Sequence, residues 1–507
     1  MIIKTQIVAG KYLDSVKLML ISKELRQQDG VEDAVAILAN PENREILAAT
    51  DMLVDEIKAA AETDIVIVVK SKTDELGEAA ISKAEQLINA PSRNQEASAL
   101  KIRNLQAAVK NLPGANLCLI SVAGKYATAE AEQALDAGLH VMIFSDNVSL
   151  EDELKLKQKA AAKGLLLMGP DCGTAIVNGC PLAFANKIPQ GKIGIVSAAG
   201  TGLQEVSVAI ANRGLGVSQA FGTGGRDGKK EIGGIMLSAC LDYLIHDPAT
   251  EVIIIIAKTP DPEVRNKLWQ QISSTQKPVV VSFLKPVELP NLPNLHYFVS
   301  LAESAAKACA ILRKDKTGQQ AENMQNEQIL PNLAPSRKYL AGLYSGGTLC
   351  YEAQELYHRY FDEYPLSNTP VSSEFLAKDV WNETADCIID LGSDEFTVGR
   401  PHPMIDYNLR MKMLEHMAKR SDIGIIILDI VLGYGAHPDP AAEIIPVISG
   451  ISADIPIICH VLGTSKDPQN ADTVAEKLRD AGAKVFSSHL AAADYAIRTL
   501  VKHRRKG

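Results

Sequence analysis

Short runs of Val, Ile and Leu alternate with amphipathic, helix-patterned segments along most of the chain. The runs "TDIVIVVK" (63–70), "NLCLISVAG" (116–124), "HVMIFS" (140–145), "KGLLLMGP" (163–170) and "KIGIVSAAG" (192–200) are compact and apolar, and each is bounded by Gly, Ser or Asp. That is the pattern of strands buried on both faces. Between them lie helical patterns such as "TAEAEQALDAG" (128–138), which Gly138 is suited to terminate. Strand and helix alternating in this way predict α/β architecture with doubly wound parallel sheets.

The alternation breaks in three places. Residues 313–337 are polar, rich in Gln and Asn and without periodicity, and are expected to be a linker. The stretch "KPVELPNLPNLHYF" (285–298) carries three prolines and is expected to wrap a domain edge. A softer boundary is expected at 182–191. Across the linker the pattern repeats. "GKIGIVSAAGTGLQEV", "GTGGRDG", "EVIIIIAKTPDP" and "KPVVVSFL" are answered in order by "KYLAGLYSGGTLCYEA", "IIDLGSDEFTVG", "IGIIILDIVLGYGAHPDP" and "IPIICHVLG". The spacing predicts one duplicated α/β unit. The second copy is longer, with the extra residues expected in and around "GRPHPMIDYN".

Composition narrows the picture. At 507 residues, about three domains are expected. A net charge of −9 argues against a nucleic-acid surface, and the basic tail "KHRRKG" is expected to be a solvated end. The eight cysteines lack metal-type spacing and mostly lie in apolar segments, so reduced thiols in a cytoplasmic protein are expected, with no metal site. No signal-peptide pattern or membrane-length apolar run occurs in the sequence.

The candidate chemistry gathers at glycine turns. "SAAGTG" (197–202) and "YSGGTL" (344–349) each end a strand and open a helix. Free N–H groups and the positive end of a helix suit an anion there. Ser197, Gly200, Thr201 and Gly202, with Ser345, Gly346, Gly347 and Thr348, are therefore the candidate phosphate-binding residues. The same residues also serve plain strand-to-helix geometry. The next loops, "GTGGRDG" (222–228) with Gly224 and Gly225, and "DLGSDEFTVG" (390–399) with Asp394, follow strands where α/β ligands collect. Arg226 is a candidate clamp for an oxyanion or phosphate, or else an ion-pair partner of Asp227 or Glu231. Arg400, His402 and Asp406 lie in a Pro-punctuated loop suited to a site. His437 is a candidate acid/base or a structural loop histidine. Asp429 could orient a ligand or metal, or cap a loop. Cys172 is a candidate nucleophile, although a thiol beside an apolar strand is more often structural.

Residues 110–310, with "GPDCGT" (169–174) and "SAAGT", resemble the α-subunit of succinyl-CoA synthetase and the NDP-forming acyl-CoA synthetases. "DSVKLMLISKEL", "FSDNVSLEDEL", "MGPDCGT", "PLAFAN", "GTGGRD", "GGTL" and "VGRPHPMID" resemble the FdrA family along nearly the whole chain. That resemblance implies a CoA-binding-like Rossmann domain (1–185) and two flavodoxin-like CoA-ligase domains (186–312 and 338–507) joined by the linker. It also implies a role beside companion subunits in oxamate carbamoyltransferase activity, within purine and allantoin catabolism. The Gly-His-Ala-Gly-Ala phosphohistidine segment of the synthetases is absent. Its places read "LKPVELPNLPNLHYF" and "VLGTSKDPQNADT". The expected function is acyl-phosphate chemistry with carbamoyl phosphate or phosphate as ligand, no tightly bound cofactor, and CoA as a further possible ligand. The expected assembly is a homo- or hetero-oligomer acting on a small molecule, without nucleic acid or membrane. The alternatives are an acid–CoA ligase subunit and a non-catalytic scaffold.

Overall fold

The apolar run near the start forms β3 (Ile65–Ser71), in which Ile65 to Val69 are all buried. The computed structural model describes residues 2–11, 13, 15–40, 43–44, 47–48, 52–89, 102, 104–314, 330–397, 401–451 and 454–505. β3 is the centre of an antiparallel sheet, flanked by β1 (Ile2–Val8) and β2 (Val31–Leu38). Helix α1 (Ser15–Arg26) and helix α2 (Asp74–Asn89) contribute Leu18, Ile21, Leu25, Ala80, Ala84 and Ile88 to the core on one face. Leu47, Met52 and Ile57 fill the other face against Val66 and Val68. These elements form a unit of residues 1–101 with 397–401, and residues 102–396 with 402–507 form a second. A single Rossmann domain over 1–185 is therefore not what the chain builds. A buried run such as "IVIVV" suits the centre of a parallel or an antiparallel sheet equally, so its pattern does not reveal the pairing.

In the second unit, β4 (Leu117–Ile120), β5 (His140–Ile143) and β6 (Leu167–Met168) form a small parallel sheet. Helices α3 (Gly124–Asp136) and α4 (Leu150–Ala162) pack on it, the latter capped by Ser149, which accepts from Asp152 N. The next hairpin, β7 (Thr174–Val177) and β8 (Cys180–Ala183), already belongs to the following sheet, because β7 pairs with β10. The boundary therefore falls near residue 170, ahead of the 182–191 stretch.

The duplication is visible in the sheets. β9 (Gln190–Ser197), β10 (Val217–Gly222), β11 (Val252–Ile256), β12 (Val279–Ser282) and β13 (Leu295–Tyr297) lie in the order β13-β12-β11-β9-β10, followed by β7 and β8. β14 (Tyr339–Tyr344), β15 (Cys387–Asp390), β16 (Ile423–Val431), β17 (Ile457–Leu462) and β18 (Lys484–Phe486) repeat it as β15-β14-β16-β17-β18. Both are the doubly wound 2-1-3-4-5 arrangement. The central strands "VIIII" and "IGIIILDIV" are buried at every residue, as a sheet covered on both faces requires.

Four helices of the first repeat and five of the second pack on these sheets. In the first they are α5 (Gly200–Asn212), α6 (Ile235–His246), α7 (Pro262–Ser273) and α8 (Leu301–Leu312). In the second they are α9 (Gly347–Phe361), α10 (Asn408–Lys419), α11 (Pro440–Ile448), α12 (Ala471–Asp480) and α13 (His489–Arg504), with α12 standing in the β17–β18 connection. The extra length of the second repeat lies mainly before β15. Residues 362–386 separate α9 from β15, where residues 213–216 suffice between α5 and β10. This corrects the placement around "GRPHPMIDYN". The insert is polar and aperiodic, so nothing in its pattern sets it apart from an ordinary loop.

Candidate functional site

Each repeat turns from its first strand straight into a helix. Neither α5 nor α9 has a side-chain cap, so their first-turn N–H groups are not claimed by a capping residue. The strand order reverses here, between β9 and its neighbours and between β14 and its neighbours, which opens a crevice beyond the strand ends. The two helix starts also meet. A Cβ on Gly346 would overlap Thr201 Cγ2 and stand 2.7 Å from Thr201 Oγ1, and one on Gly202 would stand 3.0 Å from Thr348 Cγ2. Glycine at 346 and 202 is what permits this approach.

One and a half turns further on, the helices are cross-tied. Glu352 of α9 accepts from Leu301 N (2.9 Å), the first residue of α8. Glu205 of α5 accepts from His489 N (3.0 Å), the first residue of α13. Each carboxylate therefore caps the last helix of the other repeat. Their second oxygens face His489 Nδ1 (2.6 Å) and His460 Nε2 (3.2 Å). Burial works against the His489 charge, but the bond to Glu352 and its charge raise the pKa overall.

The two starts are not equivalent. At Gly200 a Cβ would meet nothing within 4 Å, so the α5 start is open. At Gly347 it would stand 2.6 Å from Asp390 Oδ2 and 3.9 Å from Lys258 Nζ. Asp390 ends β15 in the register that Gly222 holds at the end of β10, since they pair with Tyr344 and Ser197 respectively. A carboxylate thus fills the second start where the first has only backbone. Asp390 Oδ1 accepts from Gly392 N (3.0 Å). Burial pushes Asp390 up to about 6, against the pull of Lys258. Asp171, within "GPDCGT", is exposed to solvent on one side. The protein packed around it, with the charges of Asp146 and Asp394, pushes it up to about 7. Two carboxyls poised near neutrality at strand ends are suited to accepting and returning protons.

Ser197 and Ser345 are held differently. The Ser197 hydroxyl donates to Ala199 O (2.8 Å) and accepts from Ala199 N (3.0 Å), closing on its own turn. Ser345 donates through N (2.8 Å) and Oγ (3.0 Å) to the buried Asp429, which is therefore a structural anchor of the turn. His402 stands at the rim, its Nε2 2.9 Å from the point where a Gly392 Cβ would begin. Its Nδ1 accepts from Met404 N (3.2 Å), which leaves the ring proton on Nε2. Burial, helped by the charge of Arg410, lowers His402 to about 4, so it is a neutral donor at pH 7.

Several sequence candidates do other work. Arg226 is committed to Glu153 (Nε–Oε2 2.7 Å) and to Val148 O (2.8 Å), and its partner is neither Asp227 nor Glu231. Asp227 instead meets the fully buried Lys157 (2.8 Å) and accepts from Leu237 N (2.6 Å) at the start of α6. Cys172 is buried, its Sγ 3.2 Å from Gly222 O, and burial pushes the thiol up to about 12. That removes it as a nucleophile at neutral pH. His437 is buried behind Tyr407, accepting from Asp439 N (3.1 Å) and facing Glu443, away from the helix starts. Asp406 accepts from Asn408 N (2.8 Å) at the start of α10. Gly224 packs on Pro170, while Gly225 and the exposed Asp394 remain near the crevice. Arg400 lies outside the described residues. Lys258, Asp390 and Asp171 were missed by the sequence reading. The available signal was a charged residue closing an otherwise apolar strand, as in "VIIIIAK" and "CIID".

Residues 343–498 match the CoA-ligase family, and residues 1–103 match the heavy metal-associated domain of AllF. The uncharacterized protein YahF of Escherichia coli K12 is 39% identical over 505 residues, which cover 96% of each chain. The α-2 subunit of the ADP-forming succinate–CoA ligase of Trichomonas vaginalis is 30% identical over 186 residues, 35% of this chain and 59% of that one. The corresponding α-subunit of Aquifex aeolicus is 29% identical over 33% of this chain and 55% of its own length. The chain thus spans little more than half of those ligase subunits. Among solved structures, the dinucleotide-forming acetyl-coenzyme A synthetase 1 of Ca. Korarchaeum cryptofilum aligns over 78% of this chain and 85% of its own, with 14% identity and a TM-score of 0.33. Among the described residues no helix is long and apolar enough to cross a membrane.

Proposed function

This chain belongs to the FdrA/AllF-like family of CoA-ligase-fold proteins, and on that premise we propose that it performs acyl-phosphate chemistry as a subunit of a carbamoyltransferase. The reaction would interconvert carbamoyl phosphate and oxamate with oxalurate and phosphate. One observation carries the reading: the helix starts at corresponding positions of the two repeats meet, one open and the other filled by a carboxylate near neutrality. The open α5 start, with Gly200, Thr201 and Gly202, takes the phosphate on its N–H groups. Asp390, at the α9 start, takes the proton from the oxamate amide as its nitrogen attacks the carbamoyl carbon. A C–N bond forms, the carbon–oxygen bond to phosphate breaks, and phosphate leaves with the electron pair. Lys258 and the His402 Nε2–H supply positive and donor character where charge develops, the strongest contribution a preorganised site makes. No covalent enzyme intermediate is needed, consistent with the buried thiol of Cys172. Companion subunits and a cytoplasmic setting belong to the same proposal.

Similarity to succinate–CoA ligase α-subunits favours a second reading, acid–CoA ligation with a nucleotide-binding partner. One experiment separates the two. Carbamoyl phosphate consumption is followed with and without oxamate, in the chain alone and with its co-purifying partners, beside a parallel reaction with CoA, ATP and a carboxylic acid. Oxamate-dependent consumption without CoA supports the carbamoyltransferase. CoA-dependent ATP consumption in its place defeats it.

A further inference from the structure

The repeats differ in one more buried place. In the second, the Arg410 guanidinium of α10 is fully buried and donates through Nη2 to Asp429 Oδ1 (2.9 Å), Asp429 O (2.6 Å) and Leu343 O (3.2 Å). Asp429 in turn holds the N–H and hydroxyl of Ser345. The first repeat has none of these groups. Ala198 stands where Ser345 stands, β11 runs out in Ile256 and Ala257, and the equivalent helix α6 buries Met236, Leu237, Cys240 and Leu241. The same sheet and turn therefore close in the first repeat without an ion pair at this position, its buried Asp227 lying instead at the start of α6 against Lys157. A buried ion pair is often no better for stability than apolar packing of the same volume. This one is also incompletely satisfied. Arg410 Nε and Nη1 have no hydrogen-bond partner among the described residues, and the guanidinium lies 5.0 Å above the Tyr407 ring. The fold did not need the pair, so its effect is to be sought at the point it touches.

That point is the α9 turn. Ser345 immediately precedes Gly346 and Gly347, and its carbonyl oxygen lies 2.6 Å from the place of a Gly392 Cβ. Gly392 N is the donor that holds Asp390. Hydrogen bonds therefore run from Arg410 through Asp429 to Ser345, at the turn that Asp390 faces.

We propose that Arg410 is a positioning residue, which through Asp429 clamps the Ser345–Gly347 turn and so sets the place from which Asp390 works. The proposal rests on the carbamoyltransferase reading for its catalytic consequence but not for the clamp itself. The test compares the wild-type chain with Arg410→Leu and with the double variant Arg410→Leu/Asp429→Ala. The double variant imitates the apolar first repeat and leaves no unpaired buried charge. Amide exchange in the full chain is read for peptides covering 343–349 and 198–203, beside phosphate affinity, kcat and KM. The expected result in the folded Arg410→Leu variant, as in the double variant, is exchange at least tenfold faster at 343–349 and unchanged at 198–203. With it, kcat falls tenfold or more while phosphate affinity stays within twofold. Unchanged exchange at 343–349 overturns the clamp, and unchanged kcat overturns its catalytic role. A wild-type chain that turns over no carbamoyl phosphate defeats the functional reading instead, and the exchange comparison still decides the clamp.

Discussion

Asp390→Asn should make the protein more stable while removing its activity. Asp390 is buried, and its carboxyl sits at about 6 in place of the ordinary 3.8. The fold therefore disfavours the charged form by about 3 kcal/mol, taking about 1.36 kcal/mol for each unit of displacement. A raised carboxyl favours the folded state fully below its unfolded pKa of 3.8, and that advantage is lost as pH rises through about 6. Asparagine is neutral throughout, and its side-chain oxygen can still accept from Gly392 N. The variant should match the wild type near pH 4, gain about half its advantage by about pH 5 and hold up to about 3 kcal/mol above pH 7. Urea denaturation at pH 4 and pH 8, followed by a probe in the ligase repeats, measures this directly. For a urea slope of about 3 kcal/mol/M the midpoint moves by up to about 1 M at pH 8. Turnover should fall by about 10²- to 10⁴-fold, the usual contribution of a proton acceptor. A variant no more stable than wild type at pH 8, or equally stabilised at both pH values, would show that Asp390 carries no stored electrostatic cost.

Gly200→Val should fold normally, because nothing lies within 4 Å of the added side chain's first atom, yet weaken phosphate binding in calorimetry by tenfold or more. Gly346→Ala meets Thr201 instead, and should cost about 1–3 kcal/mol of stability in thermal melts as α5 and α9 are pressed apart. Cys172→Ala should keep turnover within threefold, and in the wild type iodoacetamide should label the exposed Cys180 long before Cys172, as peptide mass spectrometry can read. His489→Gln should destabilise more at pH 6 than at pH 9 in parallel melts. The raised pKa of His489 favours folding below its unfolded value, and that benefit disappears as pH climbs through the folded one.

The glycine turns were legible because a strand that must become a helix at once is a local need, although the neighbour that excludes a Cβ at Gly346 comes from the other repeat. The charged residues of the crevice were not. Asp390, Lys258 and Asp171 lie far apart in sequence, and each alone reads as an ordinary strand end or turn residue. Arg226 misled in the opposite sense, since a guanidinium in a glycine loop looks available until Glu153, on a distant helix, is seen to hold it.

Alternation of apolar runs with helical segments, and the order of motifs on either side of 313–337, were enough to establish α/β layers and a duplicated unit. Hydrophobic burial is dictated by periodicity, and periodicity is written along the chain. Pairing direction in residues 1–101, the insert at 362–386 and the unequal filling of the two helix starts depend on which segments meet across space. Gly222 and Asp390 occupy equivalent sheet positions, yet only the assembled fold reveals that one leaves a helix end open and the other closes it. Tertiary structure decided that difference, because a carboxylate acquires its pKa from burial and neighbouring charge, which belong to no single stretch of sequence.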